Sequence, residues 1–594
     1  DRPEADRAAF SLLGGRHNLL AIVHGYGTDT RFTDERIPHF FQAELRAAGV
    51  PVDLRWRTRV VDAYRPTGRR INPQLGWTEH CDVARLRHLF EAPLKEAWEL
   101  PVEAATAMAS AAPNPLAPLR TLRRTGRMLD SGAYANRFGY TDDMPAVRFM
   151  LRDLAPAVPP EGLWYRFDFG KIGLYRPSIR LRVPRGTRIE AGYAEMLTDG
   201  RVAPVISLSA GASCAMDVWA ADDGEQTLVT FSPRGFRYME IHVEAAADDV
   251  ELLDAAVLQR AYFEAPVGEF RCDDARLNAI WSLGIETLQS CSEDALVDTP
   301  VRERGQWLGD AVAVGMENMA VGFGDLSLIR RGLEQAALCK RADGMIPGMY
   351  PGQQIEVSSY ALLWVIGCLR YYRLTGERDM LERRLNDARS VLDLFRSSLT
   401  AWGCRNVDAW DFVDWGHEVA PGDTNVALNV WLLEATRALA DWEDELGNAR
   451  EARDRRAHWN ALKALLLERC VTPDGLLARS VNADSGTPSQ AGFHANALGL
   501  LYGLFAGKPA LEAAAAQLVK AHMLACFPND PAAPRHAGPD TRHDRIVTPY
   551  FMHFALQALW NCGEAEFVLN QYRVCWGWFL DQGVTTLPEV FDLR

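Results

Sequence analysis

Near Phe263 the hydrophobic pattern of this chain changes its period, and that change constrains the fold more than any single motif does. Before it, WYRFDFG, SIRLRV, RIEAGYAEML and GFRYMEIHV alternate polar and apolar residues between Gly and Pro turns, as strands with one buried face do. Beyond it, apolar residues recur about every 3.6 positions to the end of the chain, the signature of helix after helix. A chain of 594 residues exceeds what one hydrophobic core organises, so several domains are expected. The reading is multidomain: β-rich accessory units with carbohydrate binding as a candidate role in 1–160, a β-sandwich domain in 161–262, and a helical domain in 263–594.

The first segment mixes short alternating stretches such as 54–61 with the Ala-rich 102–112, which Pro113, Pro115 and Pro118 punctuate. In the helical half, starts are expected near Asp273, Asp310, Asp325, Glu356, Glu377, Asn425, Asn448, Gly492, Lys508, Thr548 and Gly563. Eleven helices with no tetratricopeptide- or HEAT-like consensus favour an (α/α) barrel of helical hairpins over an open solenoid.

Composition narrows the partners. With 48% hydrophobic and 24% charged residues the chain reads as folded, and a formal charge of −14 argues against nucleic acid or an anionic membrane surface. No run approaches the roughly 18 apolar residues that span a bilayer. The Asp1 start shows no basic-then-apolar leader, which gives a cytoplasmic expectation, or a periplasmic or secreted one where a signal peptide has been removed. Eleven cysteines without a CxxC pair read as buried, reduced thiols. His417, His494 and His553 read as structural or surface residues, and no metal site is expected.

Unusual chemistry concentrates in one inter-helix loop, Asp298-Thr299-Pro300-Val301-Arg302-Glu303-Arg304-Gly305-Gln306-Trp307-Leu308-Gly309-Asp310. Pro300 and Gly305 oppose helix continuation, so three acids, two arginines and a tryptophan are presented by a shaped loop. Read blandly, Asp310 caps the next helix and Arg302 pairs a neighbouring carboxylate. Glycoside cleavage needs an acid for the departing oxygen and, in inverting enzymes, a base for water on the opposite sugar face. Glu589, in Gly583-Val584-Thr585-Thr586-Leu587-Pro588-Glu589, is the distant carboxylate that follows a helix end and a β-prone turn; its alternative is a solvated terminal glutamate.

DTPVRERGQWLGD resembles the DCPxRExxGWxGD signature of the bacterial α-L-rhamnosidase glycoside hydrolase family. FDFGKIGLYRPSIRLRV, GTRIEAGYAEMLTDG and SPRGFRYMEI are similar to the sandwich before that family's barrel, and TPYFMHFALQALWNCGEAE with GVTTLPEVFD to its late helix and TTxWE segment. The resemblance, over roughly 160 to 594, implies inverting hydrolysis of terminal α-L-rhamnosyl residues with no cofactor required. Glu303 would be the general acid, with Asp298 and Asp310 as acidic neighbours, and Glu589 the general base. Asp298, Arg302 and Asp310 would hold sugar hydroxyls, and Trp307, Trp364 and Trp415 would supply apolar walls. For Trp364 and Trp415, core packing is the competing reading.

The chain departs from that pattern in places. Thr299 stands where the family has Cys, and Pro588 where it has Trp, which removes an aromatic wall beside the base. The last helical segment of the family domain is expected to be missing after Arg594, or replaced by another closing element. A rhamnose-containing glycoside is the expected partner, structural calcium on a sandwich is left open, and oligomeric state is silent. Competing readings are a catalytically impaired rhamnoside-binding homologue and another (α/α)-barrel glycosidase or a phosphorylase.

Overall fold

The computed structural model describes residues 4–5, 45–47, 49–53, 55–72, 74–91, 112–136, 145–205, 214–405, 407–526 and 548–591. It divides into two compact units, one comprising Asp1–Glu264 with Thr299–Gly305, the other Ala265–Asp298 with Gln306–Arg594.

The first unit is built on a nine-stranded sheet. In chain order its strands are β1 (His80–Asp82), β2 (Arg120–Thr125), β3 (Arg127–Tyr134), β4 (Gly162–Val183), β5 (Arg188–Ala194), β6 (Met216–Ala220), β7 (Gly224–Val229), β8 (Arg234–Val243) and β9 (Glu251–Ala261). The order is β1-β6-β5-β8-β4-β9-β2, antiparallel except for β1 with β6, while β3 and β7 also pair with β4. The 22-residue β4 organises the whole. Its first half lies between β3 and β8, its second half between β7 and β9. Gly170 between the halves takes φ +85°, where a Cβ is disfavoured, and its N–H donates to Asp168 Oδ1 at 2.8 Å. Side chains from both halves meet in one core that includes Phe167, Tyr175, Leu181, Ile189, Trp219, Phe236 and Val257. Burying each such side chain contributes about 1.5–3 kcal/mol.

Strands β1, β2 and β3, from residues before 160, join the same sheet as the later strands. Local alternation carries no record of which distant strand it pairs with, so this sharing of one sheet was invisible in the sequence. Of the Ala-rich 102–112 stretch, all but Ala112 lies outside the described residues. Below β8, Arg234 forks Asp217 at 2.8 and 2.9 Å, and Glu79 accepts the Phe231 and Ser232 N–H groups at 2.9 Å each. A buried charge cluster persists only when its remaining atoms are satisfied in this way.

The second unit is helical, with α1 (Ala275–Ser290), α2 (Met316–Phe323), α3 (Ser327–Leu338), α4 (Ser358–Thr375), α5 (Arg378–Ser397), α6 (Val426–Glu445), α7 (Ala449–Arg469), α8 (Phe493–Leu501), α9 (Pro509–Cys526), α10 (Pro549–Asn561), α11 (Ala565–Gln571) and α12 (Gly577–Asp581). Ten of the eleven expected starts fall within two residues of a helix start, and the eleventh, Asp310, opens a π turn that runs into α2. The caps explain several of them: Asp274 accepts from the Arg276 and Leu277 N–H groups, Asn425 from Leu428, and Thr548 from Phe551 ahead of Pro549. Each such cap stabilises its helix by about 1 kcal/mol. π turns at Asp310–Gly315 and Tyr572–Trp576 interrupt two of the expected helices.

Helices α4, α6, α8 and α10 pack in series and are apolar nearly all round, while α5, α7, α9 and α11 follow them as the second arms of hairpins. Helix α10 returns against Asp310–Gly315. Helix α12 packs on α1, where Arg276 forks Asp581 at 2.9 and 2.6 Å and Arg573 donates to Asp274 at 2.6 Å. Among the described residues, no helix is long and apolar enough to cross a membrane, and no His/Cys/Asp/Glu cluster could hold a metal ion.

Candidate active site

The loop after α1 is divided between the units. Thr299–Gly305 belongs to the first, whereas Asp298 and everything from Gln306 onward belong to the second. Thr299 Oγ1 accepts the Val301 N–H at 3.3 Å, Pro300 blocks helix, and Arg304 takes φ +55°, the left-handed region that a side chain resists. In this segment Arg302 Nη1 lies 3.6 Å from Glu303 Oε1, their side chains 24% and 14% exposed. Arg302 also attracts the carboxylate of Glu195, an exposed residue of the first unit. Glu195 was missed in the sequence, where it is one acid among many in an alternating strand.

In the second unit a set of aromatic rings forms around Tyr360, at the first turn of α4. Trp307 meets it edge-on at 6.3 Å, Phe412 at 6.1 Å, and Tyr550 lies at 6.2 Å. The ring fits because residue 309 is glycine: a Cβ there would come within 2.3 Å of it. Burial drives the Tyr360 hydroxyl far above its ordinary range, and Tyr550, Asp310 and Glu589 push it further. Asp310 and Glu589 thus both act electrostatically on one phenol. Asp298 and Asp310 in turn both raise the Cys291 thiol, whose main perturbation is burial. The structure thus brings Asp298, Trp307, Asp310 and Glu589 into one neighbourhood of the helical unit.

Trp415 completes it. Its indole N–H donates to Glu589 Oε1 at 2.7 Å, and its ring sits 5.2 Å from Phe412 and 5.7 Å from Trp410. Trp410 and Trp415 are 42% and 46% exposed, an apolar surface left open to solvent. Beneath them Asp414 is buried and accepts from Thr548 Oγ1 at 2.6 Å and the Trp415 N–H at 2.9 Å, with His494 Nε2 at 3.1 Å. Burial pushes Asp414 up to about 7 against the pull of the Thr548 and Trp415 bonds. The chain end that bears Glu589 is tied down by the Leu587 N–H, which donates to Thr287 Oγ1 of α1 at 2.8 Å.

Trp364 does not join this group. It is 0% exposed, donates to the Leu333 carbonyl at 2.9 Å and packs on Trp442, so it has no surface to offer a sugar. This corrects the expectation of a pocket tryptophan there. Tyr360, one turn earlier on the same face, is the ring that reaches the site. Trp410 and Phe412 lie in the same irregular segment as Trp415, and Tyr550 opens α10; of these rings only Trp415 is singled out in the sequence.

Two family models match the chain: a bacterial α-L-rhamnosidase 6 hairpin glycosidase domain over residues 265–594, and a bacterial α-L-rhamnosidase concanavalin-like domain over residues 163–259. The chain matches none of the curated proteins. Among solved structures it is similar to a GH78 family rhamnosidase of Bacillus sp. GL1, with 21% identity, a TM-score of 0.63, and coverage of 73% of this chain and 43% of that one. A rhamnosidase from Klebsiella oxytoca with rhamnose bound gives 19%, 0.64, and 80% and 90%. The Streptomyces avermitilis α-L-rhamnosidase complexed with L-rhamnose gives 18%, 0.64, and 86% and 45%. The chain thus spans less than half the length of the Bacillus and Streptomyces proteins and most of the Klebsiella one.

Proposed function

The chain belongs to the bacterial α-L-rhamnosidase family, and from that premise we propose that it hydrolyses terminal α-L-rhamnosyl residues by single displacement with inversion. Glu303 is the general acid that protonates the departing oxygen. Glu589 is the general base that takes a proton from water as its oxygen attacks the anomeric carbon from the opposite face. The observation that carries this reading is Glu589, whose Oε1 accepts the Trp415 indole N–H at 2.7 Å beside the exposed rings of Trp410 and Trp415. Carboxylates bordered by open aromatic surface suit a sugar, whose hydroxyls need charge-assisted hydrogen bonds and whose ring face and C6 methyl need an apolar wall.

Each residue then has a task. The Trp415 indole fixes the orientation of the Glu589 carboxylate. Asp298, Arg302 and Asp310 bind hydroxyls, and Trp307, Trp410 and Trp415 border the ring. We read the helical hairpins as a closed (α/α) barrel, supported by the return of α10 to Asp310–Gly315 and of α12 to α1. That reading places α12 beside α1 in the ring.

Proton NMR of p-nitrophenyl α-L-rhamnoside hydrolysis tests the stereochemistry. Initial β-L-rhamnose is expected, and initial α-L-rhamnose would overturn inversion. Glu303→Gln assayed on an alkyl α-L-rhamnoside, whose leaving group depends on the acid, is expected to lose about 10²–10⁴-fold in kcat. Glu589→Gln should lose as much on either substrate.

A further inference from the structure

We infer that Asn72, far upstream in the chain, is a positioning residue for the general acid; this rests on the assignment of Glu303 to that role. Asn72 is 1% exposed, and its Nδ2 donates to the Arg302 carbonyl at 2.7 Å, 230 residues away in sequence. That carbonyl is half of the peptide joining Arg302 to Glu303, so the bond fixes the backbone from which the acid projects. Both residues lie in the first unit.

The donor is itself fixed. Asn72 Oδ1 accepts the Gln74 N–H at 2.9 Å and the Leu75 N–H at 2.8 Å, a side-chain turn that locks the amide with Nδ2 toward the loop. On another part of the same segment, the backbone of Gly235 in β8 lies so close that a Cβ there would meet the Pro300 carbonyl at 2.3 Å and Val301 Cα at 2.6 Å. Gly235 follows Arg234, which the buried Asp217 holds by two bonds. The loop is thus gripped immediately before Glu303 at Arg302 and further back at Pro300–Val301. Immediately after Glu303, Arg304 adopts its left-handed φ of +55°. A strained backbone of this kind persists only where its surroundings over-determine it. A carboxylic acid that must reach a glycosidic oxygen within hydrogen-bond range tolerates little displacement, so a clamp on its own peptide acts directly on proton transfer.

Asn72→Asp is the discriminating variant: it keeps the Oδ1 acceptor of the turn and replaces the donor to Arg302 with a carboxylate oxygen that repels that carbonyl. The full chain is compared with wild type by hydrogen exchange of the peptide covering 299–305, by thermal unfolding, and by kcat on p-nitrophenyl and alkyl α-L-rhamnosides. Expected are faster exchange at 299–305, a Tm lowered by the buried carboxylate, and kcat on the alkyl glycoside at least tenfold lower, with a smaller loss on the p-nitrophenyl substrate. Equal losses on both substrates would show a merely structural role and overturn the proposal, as would unchanged exchange at 299–305. Glu303→Gln is run alongside. If it keeps wild-type turnover on the alkyl glycoside, the acid assignment itself fails. If it is inactive while Asn72→Asp keeps the wild-type substrate ratio, only the positioning role fails.

Discussion

The indole N–H of Trp415 donates to Glu589 Oε1 at 2.7 Å, so the candidate base takes its orientation from a residue 174 positions earlier in the chain. Trp415→Phe keeps a ring beside Phe412 and Trp410 and removes the donor. A hydrogen bond to a charged group contributes about 1.5–3 kcal/mol, so kcat is expected to fall roughly 10- to 100-fold with KM little changed. Trp415→Ala also deletes the wall and should raise KM. Steady-state kinetics on p-nitrophenyl α-L-rhamnoside separate the two, and a Phe variant with full kcat would deny the bond a catalytic part.

If Glu589 activates water, a small anion should replace that function once the carboxylate is gone. Glu589→Ala is expected to be nearly inactive and to regain turnover in azide, forming β-rhamnosyl azide. The product is identified by NMR. Formation of the α-azide would instead mark a covalent intermediate on the opposite face.

Gly309 is the backbone contact that admits Tyr360. Gly309→Ala places a methyl within 2.3 Å of the ring, and neither a helical backbone nor a buried ring yields cheaply. A loss of about 1–3 kcal/mol in the unfolding free energy of the helical unit is expected, with reduced activity from the displaced ring. Urea titration measures the first and rhamnoside hydrolysis the second.

Buried Asp414, pushed up to about 7 from 3.8, holds its proton in the folded state over a range where the unfolded chain has released it. Its contribution to stability is therefore greatest near pH 4 and is lost as the pH rises to 7. Asp414→Asn accepts from Thr548 and the Trp415 N–H without titrating. The stability of the variant relative to wild type should thus increase between pH 4 and 7, by up to about 4 kcal/mol for a shift of this size. Unfolding midpoints across that range check the slope; a pH-independent difference would contradict it.

The histidines act in the other direction. Burial lowers His417 to about 3 and His553 to about 4, and holds His494 well below its ordinary value. Each stays neutral in the folded unit while the unfolded chain binds a proton below about pH 6.5, so stability falls on acidification from there toward 4. Three such groups give at most about 4 kcal/mol per pH unit in that window. Calorimetry at pH 7, 5.5 and 4.5 should show a steep fall in Tm, which His417→Gln moderates.

Helix starts were readable in the sequence because their determinants are local. Asp274, Asn425 and Thr548 are caps within three residues of the amides they bind, and no distant partner decides them. Tyr360 and Trp364 show where that ends. They share a helix face one turn apart, yet one borders the site and the other is sealed against Leu333 and Trp442, a difference of depth that periodicity does not contain. Glu303 is a second case. Its sequence neighbours Asp298 and Asp310 suggest an acidic setting; the fold adds the Arg302 guanidinium 3.6 Å from its carboxyl, a pairing that adjacency in the chain does not dictate. The loop supports at Asn72 and Gly235 come from 230 and some 65 residues away, where a local reading finds only a turn and a strand.

The two-faced pairing of β4 also bears on how the chain is made. Its partner β3 precedes it, but β7, β8 and β9 lie downstream, the last ending at Ala261. At roughly 5–20 residues per second, the interval from the end of β4 to the emergence of β9 is on the order of ten seconds. During it a 22-residue strand holding Phe167, Tyr175, Ile179 and Leu181 waits on the ribosome with open edges, the condition under which strands pair with the wrong neighbour. Expression yield should therefore respond more to chaperone supply and translation rate across 184–261 than to any change in the helical half, and a fragment ending before Ala261 should aggregate.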